Sequence, residues 1–154
     1  MNITIQPATL SDIPALLACE QGVITAERPF DVTIVPDPTK YYDLELFINS
    51  PDVELLVAKI DDEIVGTGYV RIMTNQKLYL NYTRYAYLGF MYVSPQHRGK
   101  GINKMIIDHL KDWARDQGLT ELRLQVFNDN EPAIKAYQKV GFEKLMLEMR
   151  MSLD

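Results

Sequence analysis

The sequence of 154 residues predicts an α/β fold in which a mixed sheet carries helices on both faces. In several short segments apolar and polar residues alternate, as in half-buried strands. In other segments apolar residues recur every three or four positions, as on one face of a helix. The order of these segments is β-α-α-β-β-β-α-β-α-β. Because the length is typical of one domain, residues 1–154 are expected to form a single domain.

The N-terminal third contains one predicted strand and two predicted helices. Ile3 and Ile5 alternate with polar neighbours and indicate the strand. Thr9 is a candidate N-cap for a helix that is expected to end near Gly22. The Asp37–Pro38 pair resembles the start of a second helix, which Pro51 would stop. Residues 23–36 between the two helices carry no clear pattern.

The central part contains a predicted hairpin, a third strand and a long helix. The β-rich segments 53–60 and 64–72 are joined by residues 61–63. Residues 85–93 form another apolar and aromatic segment. A helix beginning near residue 102 is predicted from helical spacing and from Gly118 at its C-terminal end. Its apolar positions are Ile102, Met105, Ile106, Leu110 and Trp113.

The C-terminal part is predicted to be strand, helix and strand. Leu122, Leu124 and Val126 alternate with polar residues. Asn130 is a candidate N-cap for a helix that Gly141 would end. Residues 142–151 are expected to form the last strand.

Composition excludes several classes of protein. The chain has 16 basic and 21 acidic residues and a net charge of -5, which argues against a nucleic-acid partner. The single cysteine, Cys19, cannot form an internal disulfide. The apolar runs are too short to cross a membrane, and residues 1–6 lack the pattern of a secretory signal. We therefore expect a soluble, cytoplasmic protein with no membrane partner, and no metal site is predicted.

The charge is unevenly distributed. Residues 1–58 contain nine acidic and two basic residues and have a net charge of -7, whereas residues 59–154 have a net charge of +2. Two interpretations remain open at this point. The acidic residues could form a solvated face, or the two segments could handle ligands of opposite charge.

The segment 93–104 has the features of an anion-binding turn. Gly99 and Gly101 flank Lys100 between a strand and a helix, where the backbone can turn tightly and approach a ligand. The free N–H groups and the dipole at a helix N-terminus favour an anion, and Arg98 adds positive charge. A phosphate or pyrophosphate is therefore the expected ligand. Lys104 stands where a dinucleotide fingerprint needs its third glycine, and the sequence has no P-loop.

Two motifs together resemble the GNAT superfamily of acyl-CoA-dependent N-acetyltransferases. Residues 96–101, Gln-His-Arg-Gly-Lys-Gly, are similar to the family's pyrophosphate loop. Residues 130–142 match its Asn-x-x-Ala-x-x-x-Tyr-x-x-x-Gly-Phe pattern. The resemblance covers essentially the whole chain. It implies a mostly antiparallel central sheet and acetyl-CoA as the cosubstrate.

The resemblance also implies roles for individual residues. The backbone of Met91 and Val93 would pair with the pantetheine arm, and Asn130 would help to hold it. Tyr137 matches the tyrosine that protonates the departing sulfur as a general acid. The pyrophosphate would be bound by a continuous run of residues: Arg98, Gly99, Lys100, Gly101, Ile102 and Asn103.

The general base does not carry over from the family. Where many relatives have acidic residues in the strand before the loop, this chain has Gly89 and Phe90. The base would then be a water chain or an acidic residue from another segment, for which Glu27 is a candidate. His97 is expected to face solvent, and His109 is given no role.

The acceptor side is less specified than the cofactor side. Five tyrosines crowd one strand region, which indicates either cross-strand packing or an aromatic pocket for a cationic amine: Tyr79, Tyr82, Tyr85, Tyr87 and Tyr92. The predicted activity is acetyl transfer from acetyl-CoA to a primary amine, favouring a small cationic one. Alternatives are acetylation of a protein N-terminus or lysine, a non-catalytic acyl-CoA-binding module, and a nucleotide binder. Family precedent adds a possible homodimer.

Overall fold

The computed structural model describes residues 2–154 and contains one five-stranded sheet in the order β1-β2-β3-β4-β5. The first four strands are antiparallel neighbours, and β5 runs parallel to β4. The strands are β1 (Thr4–Pro7), β2 (Val53–Ile60), β3 (Glu63–Thr74), β4 (Arg84–Val93) and β5 (Leu122–Arg123). The helices are α1 (Ile13–Glu27), α2 (Leu44–Asn49), α3 (Ile102–Asp116) and α4 (Glu131–Lys139). The predicted α/β class and the mostly antiparallel sheet are confirmed.

The sheet separates two apolar clusters, as the strand alternation predicts. In β2, Leu56 and Ala58 face α3, whereas Leu55 and Val57 face α1 and α2. All four side chains are buried. Helices therefore cover both faces, because successive strand residues point in opposite directions. Met1, part of the N-terminal segment inspected for a signal sequence, lies outside the described residues.

Helix α1 is longer than the sequence indicated, and the predicted end near Gly22 is wrong. A capping box between Thr9 and Asp12 begins this region, and the helix then continues to Glu27. Gly22 lies inside the helix, where a Cβ atom would come within 2.7 Å of the Tyr92 ring. This glycine thus allows the helix to pack closely on the sheet instead of ending it.

Helix α2 begins later than predicted. Its N-cap is Asp43, whose carboxylate accepts a hydrogen bond from the backbone N–H of Leu46, so a start at Asp37–Pro38 is wrong. The physical reason lies in α1. The buried carboxylate of Glu20 accepts hydrogen bonds from the backbone N–H groups of Tyr41 and Tyr42, which holds this segment outside the helix.

A bulge in β4 changes the direction of its second half. Tyr69 of β3 pairs with Gly89 and Thr67 pairs with Tyr92, so β4 has one extra residue between these pairs. Phe90 has a φ of 54° at this point. The Thr67 hydroxyl donates a hydrogen bond of 2.8 Å to the Phe90 carbonyl and so satisfies a buried group at the irregularity.

The two C-terminal strands differ from the prediction. Only Leu122 and Arg123 of the predicted strand 122–126 pair with β4. The predicted last strand, residues 142–151, is not paired with any strand among residues 2–154. Its residues are exposed after Phe142, so the segment has a strand-like sequence but no paired strand among the described residues.

No helix within residues 2–154 is long and apolar enough to span a membrane.

Candidate functional site

The parallel pairing between β4 and β5 is short. The last paired residues are Tyr87 and Arg123, and residues 88–93 of β4 have no β5 partner within the described chain. We call the region formed by the edge residues 88–93 and by residues 124–127 after β5 the cleft. Met91 and Val93 lie on its β4 side, half-buried against the α3 cluster. An unpaired strand edge can accept an extended ligand through backbone hydrogen bonds.

The turn after β4 is fixed by short-range hydrogen bonds. The Arg98 guanidinium donates through Nε to the Val93 carbonyl at 3.1 Å. His97 forms a hydrogen bond of 2.8 Å between its Nδ1 and the Ser94 hydroxyl. Its side chain is half-buried in the turn, whereas the sequence predicted that it would face solvent. These contacts lead the chain from the cleft toward the N-terminus of α3.

The glycine turn has the geometry of an anion site. Gly99 and Gly101 have φ values of 76° and 78°, a region that favours glycine. Apart from the glycine and its two chain neighbours, no described residue has an atom within 4 Å of a Cβ built on either glycine. Helix α3 begins at Ile102 without a side-chain cap from the described chain, which leaves its first-turn N–H groups available to a ligand.

The donors in this region fit a coenzyme A pyrophosphate. The structure brings the predicted segment 98–103 together at the N-terminus of α3, beside the end of the β4 edge. Arg98 and Lys100 supply exposed positive side chains at the turn. A single coenzyme A molecule could therefore place its pyrophosphate at the turn and its pantetheine arm along the edge of β4. The side chain of Asn130 caps α4, because its oxygen accepts a hydrogen bond from the Ala133 N–H.

Tyr137 lies on α4 and packs against the α3 cluster. Its ring meets that of Phe142 edge-on, with ring centroids 5.8 Å apart. Burial, with smaller contributions from the negative charge of Glu27 and from the nearby Tyr87, raises the pKa of Tyr137 to about 12. The phenol therefore keeps its proton at any physiological pH.

Glu27 lies at the C-terminal end of α1, on the opposite face of the sheet from α3. Burial raises the pKa of its carboxyl above the ordinary value, a hydrogen bond from the Tyr41 hydroxyl lowers it, and Asp31 raises it. Glu27 in turn raises the pKa values of Tyr87 and Tyr137. Glu27, from the α1 side, is thus within electrostatic range of Tyr137, from the α3 side, and of Tyr87, the last β4 residue that pairs with β5.

Glu20 is a site-organising residue that the sequence analysis missed. It is fully buried on α1 and holds the backbone of Tyr41, whose hydroxyl contacts Glu27. Its second carboxylate oxygen, Oε1, has no hydrogen-bond partner within residues 2–154. The available signal was weak, because a single glutamate among apolar helix positions reads as a surface residue.

The position of the acidic residue in many relatives is closed to a side chain in this protein. A Cβ atom on Gly89 would lie 2.4 Å from the Tyr69 ring. Tyr69 is itself buried against Tyr42 and Phe47. The neighbouring residue, Phe90, is buried in the α1–α2 cluster.

The five tyrosines of the strand region do not form one pocket. Tyr82 and Tyr85 pack edge-on at the other end of β4, where Arg123 lies over the Tyr82 ring, and Tyr79 is exposed. Tyr92 packs toward α1. Of the five, Tyr87 is the one that shares an environment with Glu27.

Aromatic residues from other segments border the same region. The rings of Phe30 and Phe127 are stacked, with centroids 6.0 Å apart, and connect the turn after α1 to the segment after β5. His109 contacts the Met105 carbonyl on its own helix. No group of His, Cys, Asp and Glu side chains in residues 2–154 could hold a metal ion.

Comparison with known proteins gives consistent matches. A sequence model described as the acetyltransferase (GNAT) family matches residues 22–142. A streptothricin acetyltransferase from Streptomyces lavendulae is 50% identical over 50 residues, covering 32% of this chain and 26% of that protein. An aminoglycoside N(6')-acetyltransferase type 1 from Stenotrophomonas maltophilia is 31% identical over 104 residues, covering 64% of this chain and 66% of that protein. The chain thus matches between about a quarter and two thirds of the length of these two relatives.

A solved structure shares the fold over nearly the whole chain. It is a predicted acetyltransferase from Clostridium acetobutylicum, crystallised with acetyl-CoA. The TM-score is 0.74 at 20% sequence identity, and the match covers 99% of this chain and 97% of the other.

Proposed function

The chain belongs to the GNAT family of acetyltransferases, and on that premise we propose that it transfers an acetyl group from acetyl-CoA to a primary amine. One observation supports this most directly. Glu27 and Tyr137 come from opposite faces of the sheet, yet the charge of Glu27 is near enough to raise the pKa of Tyr137. Acetyl transfer to an ammonium group needs one group to accept a proton and another to donate one.

The cosubstrate would be held mainly by backbone groups. The N–H groups at the start of α3, with Gly99 and Gly101, would bind the pyrophosphate, and the unpaired edge at Met91 and Val93 would bind the pantetheine arm. When bound, acetyl-CoA supplies the reactive thioester. Backbone N–H groups at the β4 bulge are suited to polarise its carbonyl.

Glu27 is the proposed proton acceptor. Its carboxylate would bind the acceptor as an ammonium ion and take one proton from it, directly or through water, leaving a neutral amine nucleophile. The raised pKa makes Glu27 a better base than an ordinary carboxylate, and the Tyr41 hydroxyl orients it. The space that a base would need at residue 89 is taken by Tyr69.

Tyr137 is the proposed proton donor. As the amine nitrogen bonds to the acetyl carbon, the carbon–sulfur bond breaks and the phenol proton passes to the sulfur. The phenolate then regains a proton from solvent or from the proton released by the amine. A pKa of about 12 keeps this proton available throughout the neutral range.

The acceptor is proposed to be a small cationic amine. Glu27 supplies a negative charge, and Tyr41 and Tyr87 place aromatic rings in the same environment. The segment 1–58 that contributes α1 and the turn after it has a net charge of -7. The names of the relatives, which act on streptothricin and an aminoglycoside, agree with a small-molecule acceptor.

The test is thiol release from acetyl-CoA across matched cationic, neutral and anionic amines, for the native chain and for Tyr137→Phe and Glu27→Gln. We expect a preference for cations and a fall in kcat of about 100-fold or more in each variant. Tyr85→Phe, at the other end of β4, is the control and should keep native activity. Acetyl-CoA binding without thiol release with any amine would instead identify a binding module. Equal turnover of anionic amines would contradict the acceptor class.

A further inference from the structure

Arg71 lies on the face of the sheet that α1 and α2 cover. It follows Tyr69 by two residues on β3 and is directly opposite Tyr87 on β4, so the three side chains share one face. Tyr69 and Tyr87 belong to the α1–α2 cluster on that face. The Arg71 guanidinium lies over the Phe47 ring, 5.3 Å from the ring centroid. Arg71 is thus on the same side of the sheet as α1, the helix that ends at Glu27.

The guanidinium ends close to the strand position that is acidic in many relatives. The hydroxyl oxygen of Tyr69 would lie 2.5 Å from a Cβ atom on Gly89. Arg71 donates a hydrogen bond to that same hydroxyl. The pKa of Tyr69 is raised to about 12, mainly by burial, while the charge of Arg71 and this hydrogen bond act in the opposite direction. A positive charge therefore lies one hydrogen bond away from the position where many relatives have a carboxylate.

Arg71 has no anionic partner among residues 2–154. None of the ion pairs in this part of the chain includes it. Its side chain is half-buried, and no nitrogen of Arg71 is enclosed without a hydrogen-bond partner. A guanidinium carries more N–H donors than one tyrosine hydroxyl can use, so the others are open to solvent or to a ligand. Such a side chain is suited to bind an anion.

A negative and a positive side chain both act on the ring of Tyr87. Burial raises the pKa of Tyr87, the charge of Glu27 raises it further, and the charge of Arg71 lowers it. Tyr87 is half-buried, and its hydroxyl donates a hydrogen bond of 3.3 Å to the side-chain oxygen of Gln125. The acceptor region therefore contains opposite charges within electrostatic range of one aromatic ring.

We propose that Arg71 binds a carboxylate of the acceptor, so that the acceptor is an amino acid whose amine lies at Glu27. The inference rests on the proposed function, because it uses Glu27 as the group that receives the amine. A guanidinium matches a planar carboxylate through parallel hydrogen bonds, and the Phe47 ring holds it in one orientation. A phosphate dianion would bring more negative charge than one guanidinium balances, next to the segment 1–58 with its net charge of -7.

Binding to the coenzyme A complex tests this inference without turnover. The native chain, saturated with coenzyme A, is titrated calorimetrically with diaminopropionate, diaminobutyrate, ornithine and lysine, each matched by its own carboxamide. The series varies the spacing between the side-chain amine and the carboxylate. We expect at least one acid to bind about tenfold or more tightly than its amide, and Arg71→Gln to abolish that preference. The control is Arg84→Gln, whose exposed side chain donates to the Gln117 carbonyl at the other end of β4, and it should keep the native preference.

Charge reversal at the same position should reverse the preference. In Arg71→Glu the acid meets a second carboxylate, so each amide should bind more tightly than its acid. Denaturant unfolding checks that both Arg71 variants are folded at the assay temperature. If no acid binds more tightly than its amide to the native chain, the inference is overturned whatever the variants do. A preference that survives in Arg71→Gln would equally overturn the role of Arg71.

Thiol release from acetyl-CoA with the same compounds separates this inference from the proposed acetyl transfer. If an acid binds more tightly than its amide through Arg71 but no amine causes thiol release, the acetyl transfer fails and the carboxylate site stands. If amines cause thiol release but acids and amides bind and react alike, the acetyl transfer stands and the carboxylate site is overturned.

Discussion

The ring of Tyr69 occupies the space into which any side chain at Gly89 would project. A Cβ atom on Gly89 would lie 2.4 to 2.5 Å from three atoms of that tyrosine. The ring cannot easily move, because it is buried and in contact with the rings of Tyr42 and Phe47. Glycine at this strand position is therefore the consequence of a large neighbour on β3, and an acidic residue there is incompatible with this packing.

We expect Gly89→Ala to lower the free energy of unfolding by about 1–3 kcal/mol, as overpacking of a core does. Gly89→Glu should destabilise more and should not increase the rate of acetyl transfer. Denaturant unfolding measures the first effect, and thiol release measures the second. In a Tyr69→Ala background the cost of Gly89→Ala should shrink, because the obstructing ring is gone. An undiminished cost there would show that another contact restricts Gly89.

The glycine turn allows stability and ligand binding to be separated. Gly101 and Gly118 both have a φ of 78°, and beyond the two chain neighbours of each glycine no described atom lies within 4 Å of a built Cβ. Replacing either by alanine should therefore cost a similar 1–2 kcal/mol or so of unfolding free energy through backbone strain. Only Gly101→Ala should also weaken coenzyme A binding, because Gly101 precedes the first turn of α3. Calorimetric titration that shows equal losses for both variants would contradict the proposed pyrophosphate site.

Much of the fold could be predicted because local patterns coincide with the contacts that stabilise it. The helical stripe that begins at Ile102 and the hairpin around residues 61–63 are specified by nearby residues, and both are present. The errors have long-range causes. Gly22 does not end a helix. It lies within α1, where the absence of a side chain leaves room for the Tyr92 ring of the distant strand β4. The start of α2 is set by Glu20, which lies more than twenty residues earlier in the sequence.

In the candidate site too, features set by local sequence were predictable and features set by long-range contacts were not. The turn around Gly99 and Gly101 was predictable, because positive φ values leave a glycine signature in the sequence. The environment of Glu27 was not, because it depends on tyrosines from three separate segments: Tyr41, Tyr87 and Tyr137. The strand pattern of residues 142–151 was recognised, yet no strand among residues 2–154 pairs with this segment.

Glu20 should be replaceable by a neutral residue of the same shape. Glu20→Gln can keep an oxygen that accepts hydrogen bonds from the Tyr41 and Tyr42 N–H groups, and it removes a buried charge, so unfolding free energy should be nearly unchanged or higher. Glu20→Ala leaves both N–H groups unsatisfied and should cost about 2–5 kcal/mol. Thermal and denaturant unfolding of the two variants compare these costs. A glutamine variant as unstable as the alanine variant would show that the charge itself is needed.

The raised pKa of Glu27 predicts a pH-dependent conflict between stability and activity. A carboxyl that holds its proton more tightly when folded destabilises the fold as pH rises through its unfolded pKa, near the ordinary 4.5, and on through its higher folded pKa. Below that window both states are protonated and the effect vanishes. The stability of Glu27→Gln relative to the native chain should therefore rise with pH and level off above the folded pKa, while acetyl transfer falls.

Asp108→Asn provides a control of opposite sign. The hydrogen bond from Lys104 is the main cause that lowers the pKa of Asp108, so this carboxylate contributes stability above its unfolded pKa and loses it as pH falls through the folded pKa. Its asparagine variant should thus become less stable than the native chain as pH rises. Urea unfolding from pH 3 to 8 measures both variants. Parallel pH dependence for Glu27→Gln and Asp108→Asn would contradict the burial of Glu27, and with it the basis for its role as proton acceptor.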